Sequence, residues 1–98
     1  MSSSVGLLVL LEAIRGKEQE LSHFLVESLE SVVKEQGSSS WYAFRINQSQ
    51  FGIYDTFPNE QGRQAQLAGK VAETLGTRAQ GLLASPPKIQ SLEVLASK

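Results

Sequence analysis

Cysteine is absent from the 98 residues, and histidine occurs once, at His23. Disulfide scaffolds, thiol chemistry, iron–sulfur ligation and cysteine-based zinc sites are therefore excluded, and one imidazole does not make a histidine metal cluster. Neither charge sign dominates: nine Lys and Arg stand against ten Asp and Glu, a formal net charge of −1. Such a balance offers no footprint for a phosphate backbone, so no nucleic-acid partner is expected. Long hydrophobic runs are also missing. Val5–Leu11 is far too short to span a bilayer, lacks a preceding positive residue and is interrupted by Glu12, so neither a membrane partner nor a secretion signal is expected. A reducing, cytoplasmic home fits a chain without cysteine.

Phosphate-binding loops are missing as well. Gly62 and Gly69 sit in a helical segment without G-x-G-x-x-G or Walker-type context, so nucleotide binding has no support. No Ser-His-Asp set can be built around one histidine. His23 itself reads as a partly exposed helix residue beside Phe24.

What is present is a regular succession of elements in a single domain, residues 1–98. Residues 5–15 are apolar on both alternating faces, with Val5, Leu7, Val9 and Leu11 on one and Leu8, Leu10 and Ile14 on the other. A strand apolar on both sides must be covered on both sides. After Gly16 the period changes. Leu21, Phe24, Leu25, Leu29, Val32 and Val33 recur at helical spacing from Lys17 to about Gln36, and Gly37 terminates the pattern. Trp41–Ile46 and Phe51–Phe57 are aromatic-rich strands joined by the polar Asn47-Gln-Ser-Gln50, which suits a hairpin loop. Asn59 is a plausible N-cap for a helix carried by Arg63 to Leu75, a helical turn follows near Thr77–Leu83, and Ile89 to Ala96 reads as a last strand.

The order β-α-β-β-α-β predicts an α+β, ferredoxin-like fold, with both helices on one face of a four-stranded antiparallel sheet. The other face would then be open although the first strand is apolar there. Its expected cover is a second copy, giving a homodimer with sheet facing sheet.

FGIYDTF, residues 51–57, holds three aromatics in seven positions. Strand alternation puts Phe51, Ile53, Asp55 and Phe57 on one side and Gly52, Tyr54 and Thr56 on the other. Tyr54 is expected to enter a pocket between sheet and helices, with Phe51 and Phe57 facing away from it. Trp41 and Tyr54 are the better pocket candidates among the aromatics, because each keeps a polar end that needs a partner when buried. Arg45 and Asp55 are expected to form a structural ion pair, since a charge on a buried strand needs compensation. The alternative is that an arginine, Arg45 or Arg63, steadies a developing phenolate.

The chain resembles the antibiotic biosynthesis monooxygenase family of the dimeric α+β barrel superfamily. The resemblance rests on GLLVLLEAIRGKEQE, SSSWYAFR, FGIYDTFPNEQGRQAQL and PPKIQSLEVLASK, which together span nearly the whole length. It implies dimers whose sheets build a barrel, and oxidation of a small phenolic or quinol-like aromatic by molecular oxygen without metal or flavin. No cofactor is therefore expected. Two positions depart from the family pattern. Asp55-Thr-Phe57 stands where the family often has acid-x-Trp, and Gln66 stands where it often has a histidine. Both changes remove a group that chemistry commonly uses, an indole donor and a titratable imidazole. The candidate substrate-binding set is thus Trp41, Tyr54, Arg45, Arg63 and Gln66. The rival reading is a non-catalytic dimer that binds a small molecule or a protein, with haem degradation a weaker third.

Overall fold

Alternation and pairing organise the centre of the molecule. The computed structural model describes residues 5–34, 39–67 and 77–98, without the side chains of residues 66, 67 and 78. Its elements follow the order β1 (Val5–Glu12), α1 (Glu18–Lys34), β2 (Ser40–Arg45), β3 (Gln50–Phe57), α2 (Glu60–Leu67), a 3-10 turn (Arg78–Gly81) and β4 (Lys88–Glu93). The strands form one antiparallel sheet in the order β2-β3-β1-β4. This is the expected ferredoxin-like α+β arrangement, in which β1 and β3 take the centre and β2 and β4 the edges.

The centre is where the chain is most apolar, and burial follows strand parity. Leu7, Val9 and Leu11 of β1 and Phe51, Ile53 and Phe57 of β3 are buried. Val9, Leu11, Phe51 and Ile53 form one core cluster with Leu21, Phe24, Leu25 and Val32 of α1, and with Ala79 of the 3-10 turn. The odd-numbered side of these strands therefore faces α1. Leu8, Leu10 and Tyr54 point to the opposite side and are only half-buried.

This reverses the expected assignment of β3. Phe51 and Phe57 are on the helix-covered side, and Tyr54 is on the open one. Both sides of β1 are apolar, so the local pattern carries no information about which side α1 covers. The apolar stripe of α1 is also narrower than its periodicity suggests. Leu29 is 48% exposed and Val33 70%, and Val26 joins them at 70%. These three fall on the flank of the helix, beyond the arc that one sheet can bury.

The ends of the elements have local causes. Gly16, at φ 93°, makes the left-handed turn between β1 and α1, and its N–H donates to Glu18 Oε1 at 2.9 Å. Glu18 and Glu20 occupy the first turn of α1 and Lys34 the last, as the helix dipole favours. The expected stop at Gln36 and Gly37 lies outside the described residues. Asn59 caps α2, its Oδ1 accepting from the Gly62 N–H at 2.9 Å. The helix starts at Glu60, directly after this expected cap, and residues 68–75 of the expected helix lie outside the described ones. Asn47 closes the β2–β3 loop by accepting from the N–H groups of Ser49 and Gln50 at 3.1 and 3.0 Å. The last strand ends at Glu93, earlier than expected, and Leu95 beyond it is 86% exposed. No helix among the described residues is long and apolar enough to cross a membrane.

Candidate functional site

The hairpin register decides which candidate side chains meet. β2 and β3 pair symmetrically about Gln48, so that Arg45 faces Phe51, Ala43 faces Ile53 and Trp41 faces Asp55. Trp41 and Asp55 are therefore cross-strand neighbours on the helix-covered side, where directly opposed Cβ atoms lie about 4.5–5.5 Å apart. Asp55 is 2% exposed. Trp41 is half-buried and packs against the core cluster. Its indole Nε1 is buried and has no hydrogen-bond partner among the described residues. Counting outward from Gln48 would have revealed this pairing, but only with the loop length and its symmetric register in hand.

Tyr54 is not part of this group. It faces Tyr42 on β2 and Leu8 on β1. The two tyrosine rings stack at 6.3 Å between centroids and 16° between planes, and Tyr42 is 58% exposed. On the same open side the Phe44 ring lies over Gly52, and the Ser40 and Thr56 hydroxyls share a 2.5 Å hydrogen bond.

Both arginines donate to backbone carbonyls, Arg45 within its own loop and Arg63 across the sheet. Arg45 does not pair with Asp55. Its Nε and Nη2 donate to the carbonyls of Asn47 and Gln48 at 3.1 and 2.8 Å, and its guanidinium lies 5.0 Å from the Phe51 ring centroid. The ion pair fails because four strand positions separate Phe51, which Arg45 faces, from Asp55, a distance of about 13 Å along an extended strand. Arg63 ties α2 to the sheet instead. Its Nη1 donates to the carbonyls of Gly6 on β1 and Leu92 on β4 at 3.3 and 3.1 Å. Its Nε meets Glu60 Oε2 at 3.2 Å, and its Nη2 meets Glu60 Oε1. The hydrogen bond from Arg63, with a second from Gln64, holds the Glu60 carboxyl below the usual carboxylate range. That contribution is present above the ordinary carboxylate pKa and is lost as pH falls through the lowered value. Gln66 belongs to α2, and its side chain lies outside the described residues.

His23 pairs with Glu27 at 3.6 Å on the solvent side of α1, and its side chain is 76% exposed. Both border an open groove of about 600 Å³, together with Gln19, Glu20, Phe24 and Leu82. A smaller recess of about 130 Å³ is lined by Glu12, Phe51 and Lys88 among others. Among the described residues no group of three or more His, Cys, Asp or Glu is placed to hold a metal ion. The cross-strand neighbours Trp41, half-buried, and Asp55, buried, are thus the candidate site: an indole donor and a carboxylate on one face of the sheet, beside the apolar core.

No family model matches the chain, and no curated protein matches it. Solved structures do. A protein of unknown function from Nitrosomonas europaea, NE2512, is 41% identical with a TM-score of 0.96, the match covering 99% of this chain and 94% of that one. A second Nitrosomonas europaea protein, provisionally named an antibiotic biosynthesis monooxygenase, is 13% identical with a TM-score of 0.82, over 97% of this chain and 93% of its own. A Chloroflexus aurantiacus protein with the same provisional name is 17% identical with a TM-score of 0.75, over 98% of this chain and 97% of its own. The last two likenesses bear on the fold. The chain therefore belongs to the family of the Nitrosomonas europaea NE2512 protein and has the antibiotic biosynthesis monooxygenase-like α+β fold.

Proposed function

We propose that this protein is a cytoplasmic, homodimeric oxidoreductase that uses molecular oxygen on a small phenolic or quinol-like molecule. The observation that carries the reading is the polar pair Trp41 and Asp55 on the helix-covered face, in a fold shared with proteins provisionally named monooxygenases. Such a reaction needs little chemistry from the protein. Deprotonation of a phenol gives an electron-rich ring that reacts with oxygen. One oxygen atom ends on the ring as a carbonyl, and the other leaves as water with the two hydrogens lost by the substrate. The protein supplies orientation, a dry environment and hydrogen bonds to the oxygen that carries charge.

Oxygen uptake with a panel of hydroquinones tests this. One oxygen molecule consumed per molecule of substrate, with label from ¹⁸O₂ in the product, is the expected result. Binding seen as a thermal shift without uptake would overturn it. That outcome would favour a non-catalytic small-molecule-binding or protein-interaction dimer, a reading supported by Phe57 and Gln66 at positions where the resemblance finds Trp and His.

The homodimer is proposed on the open face of the sheet. Leu8, Leu10, Phe44, Tyr42 and Tyr54 lie there without a covering layer from the described helices, and contiguous apolar surface of this kind marks an association site. Light scattering over a dilution series should report twice the chain mass of 10.7 kDa. A soluble species of single-chain mass at micromolar concentration would rule the dimer out.

A further inference from the structure

We infer that Trp41 is the binding residue that donates a hydrogen bond to an oxygen atom of the aromatic ligand, at a position entered beside Ala43 on β2. The inference rests on the reading that the helix-covered face takes a phenol-like molecule, and it names the group that recognises it. The indole nitrogen has only a donor to offer. At Trp41 it is buried with no hydrogen-bond partner among the described residues, an arrangement that is destabilising unless an acceptor arrives. No described side chain accepts from it in this structure, and a phenol or quinone oxygen is an acceptor of the right kind.

Trp41 also lies at the margin of the covered layer. Trp41 is half-buried, and Ala43, the next residue on the same side of β2, is exposed although its cross-strand neighbour Ile53 is 3% exposed. A methyl group at 43 leaves the flank of the indole uncovered where a larger side chain would close it. In the proposed pose the ring of a ligand lies against Ala43 and the indole, and its oxygen accepts from Nε1. Tyr54, on the other side of the sheet, takes no part.

Because tryptophan occurs once in the sequence, the indole N–H gives one resolvable signal in the nitrogen-15 correlation spectrum of the labelled protein. p-Cresol should move that signal downfield, as hydrogen bonding does, whereas toluene should leave the N–H unbonded. By calorimetry Trp41→Phe should bind p-cresol about tenfold more weakly and toluene equally well, the loss expected for one hydrogen bond. Ala43→Phe should weaken both ligands, and Tyr54→Phe should weaken neither. Binding of p-cresol that leaves the indole signal in place, equal affinity in Trp41→Phe, or no binding of either ligand would each overturn the inference. Should Trp41→Phe fail to fold, the wild-type spectra decide the point. Failure of the enzymatic reading is distinguishable: an indole shift without oxygen uptake sinks the oxidoreductase and leaves Trp41 as a binding residue, and uptake with an unmoved indole does the opposite.

Discussion

Phe57→Ala should lower the free energy of unfolding by about 3–5 kcal/mol, a large part of the stability of a domain this size. The ring has 0% exposure at the end of β3, opposite Val5 on the helix-covered side. Its removal takes a large apolar surface out of contact and leaves a cavity that a packed layer closes only in part. Urea denaturation measures the loss, with Val33→Ala as the control. Val33 is 70% exposed on α1, and its truncation should stay within about 0.5 kcal/mol. A loss below about 1 kcal/mol for Phe57→Ala would mean that the end of β3 is not packed as described.

A second large effect is expected at Gly6, where glycine is needed for space rather than for its backbone freedom. A Cβ at this position would stand 2.9 Å from the backbone carbonyl oxygen of Asp55 on β3, with Thr56 and Tyr54 side-chain atoms at 3.7 Å. The obstacle is main chain in the central β1–β3 ladder, so relief requires the two strands to shift apart. Gly6→Ala should cost about 1–3 kcal/mol, and no side-chain truncation nearby should restore it. Gly52 gives the contrast. A Cβ there would meet the far end of the Phe44 ring and, at 3.1 Å, the carbonyl oxygen of Val9. Phe44 sits on an edge strand and can rotate away. The double variant Gly52→Ala with Phe44→Ala should therefore lose less than the sum of the single losses, whereas Gly6→Ala with Phe44→Ala should be additive. Coupling at Gly6 equal to that at Gly52 would contradict the distinction between a main-chain and a side-chain obstacle.

The elements are legible in the sequence because their causes are local. Alternation of apolar residues, the helical spacing of Leu21, Phe24, Leu25 and Val32, the glycine at 16 and the polar loop after Ile46 each act within a few residues, and each element appears where these signals lie. Their order then restricts the topology to a split βαβ arrangement with β1 and β3 at the centre. The arrangement of the site has no such local cause. Phe51, Ile53 and Phe57 share one side of β3 by geometry, but whether that side meets α1 or the open surface depends on how the helix crosses the sheet. Leu8 and Leu10 on one side of β1 are as apolar as Leu7, Val9 and Leu11 on the other, so nothing in the strand itself breaks the tie.

The same reasoning separates the charged residues. Asp55 on a buried strand calls for a polar neighbour, and an arginine is the natural expectation. Only the register, set by a loop turning about Gln48, shows that Trp41 faces it and that Arg45 is held by its own loop carbonyls. Arg63 reaches Gly6 and Leu92 across intervals of 57 and 29 residues, and no short-range pattern encodes such a contact. Periodicity governs what a residue shares a side with along its own element. Which partners that side meets is decided by packing between elements distant in the chain.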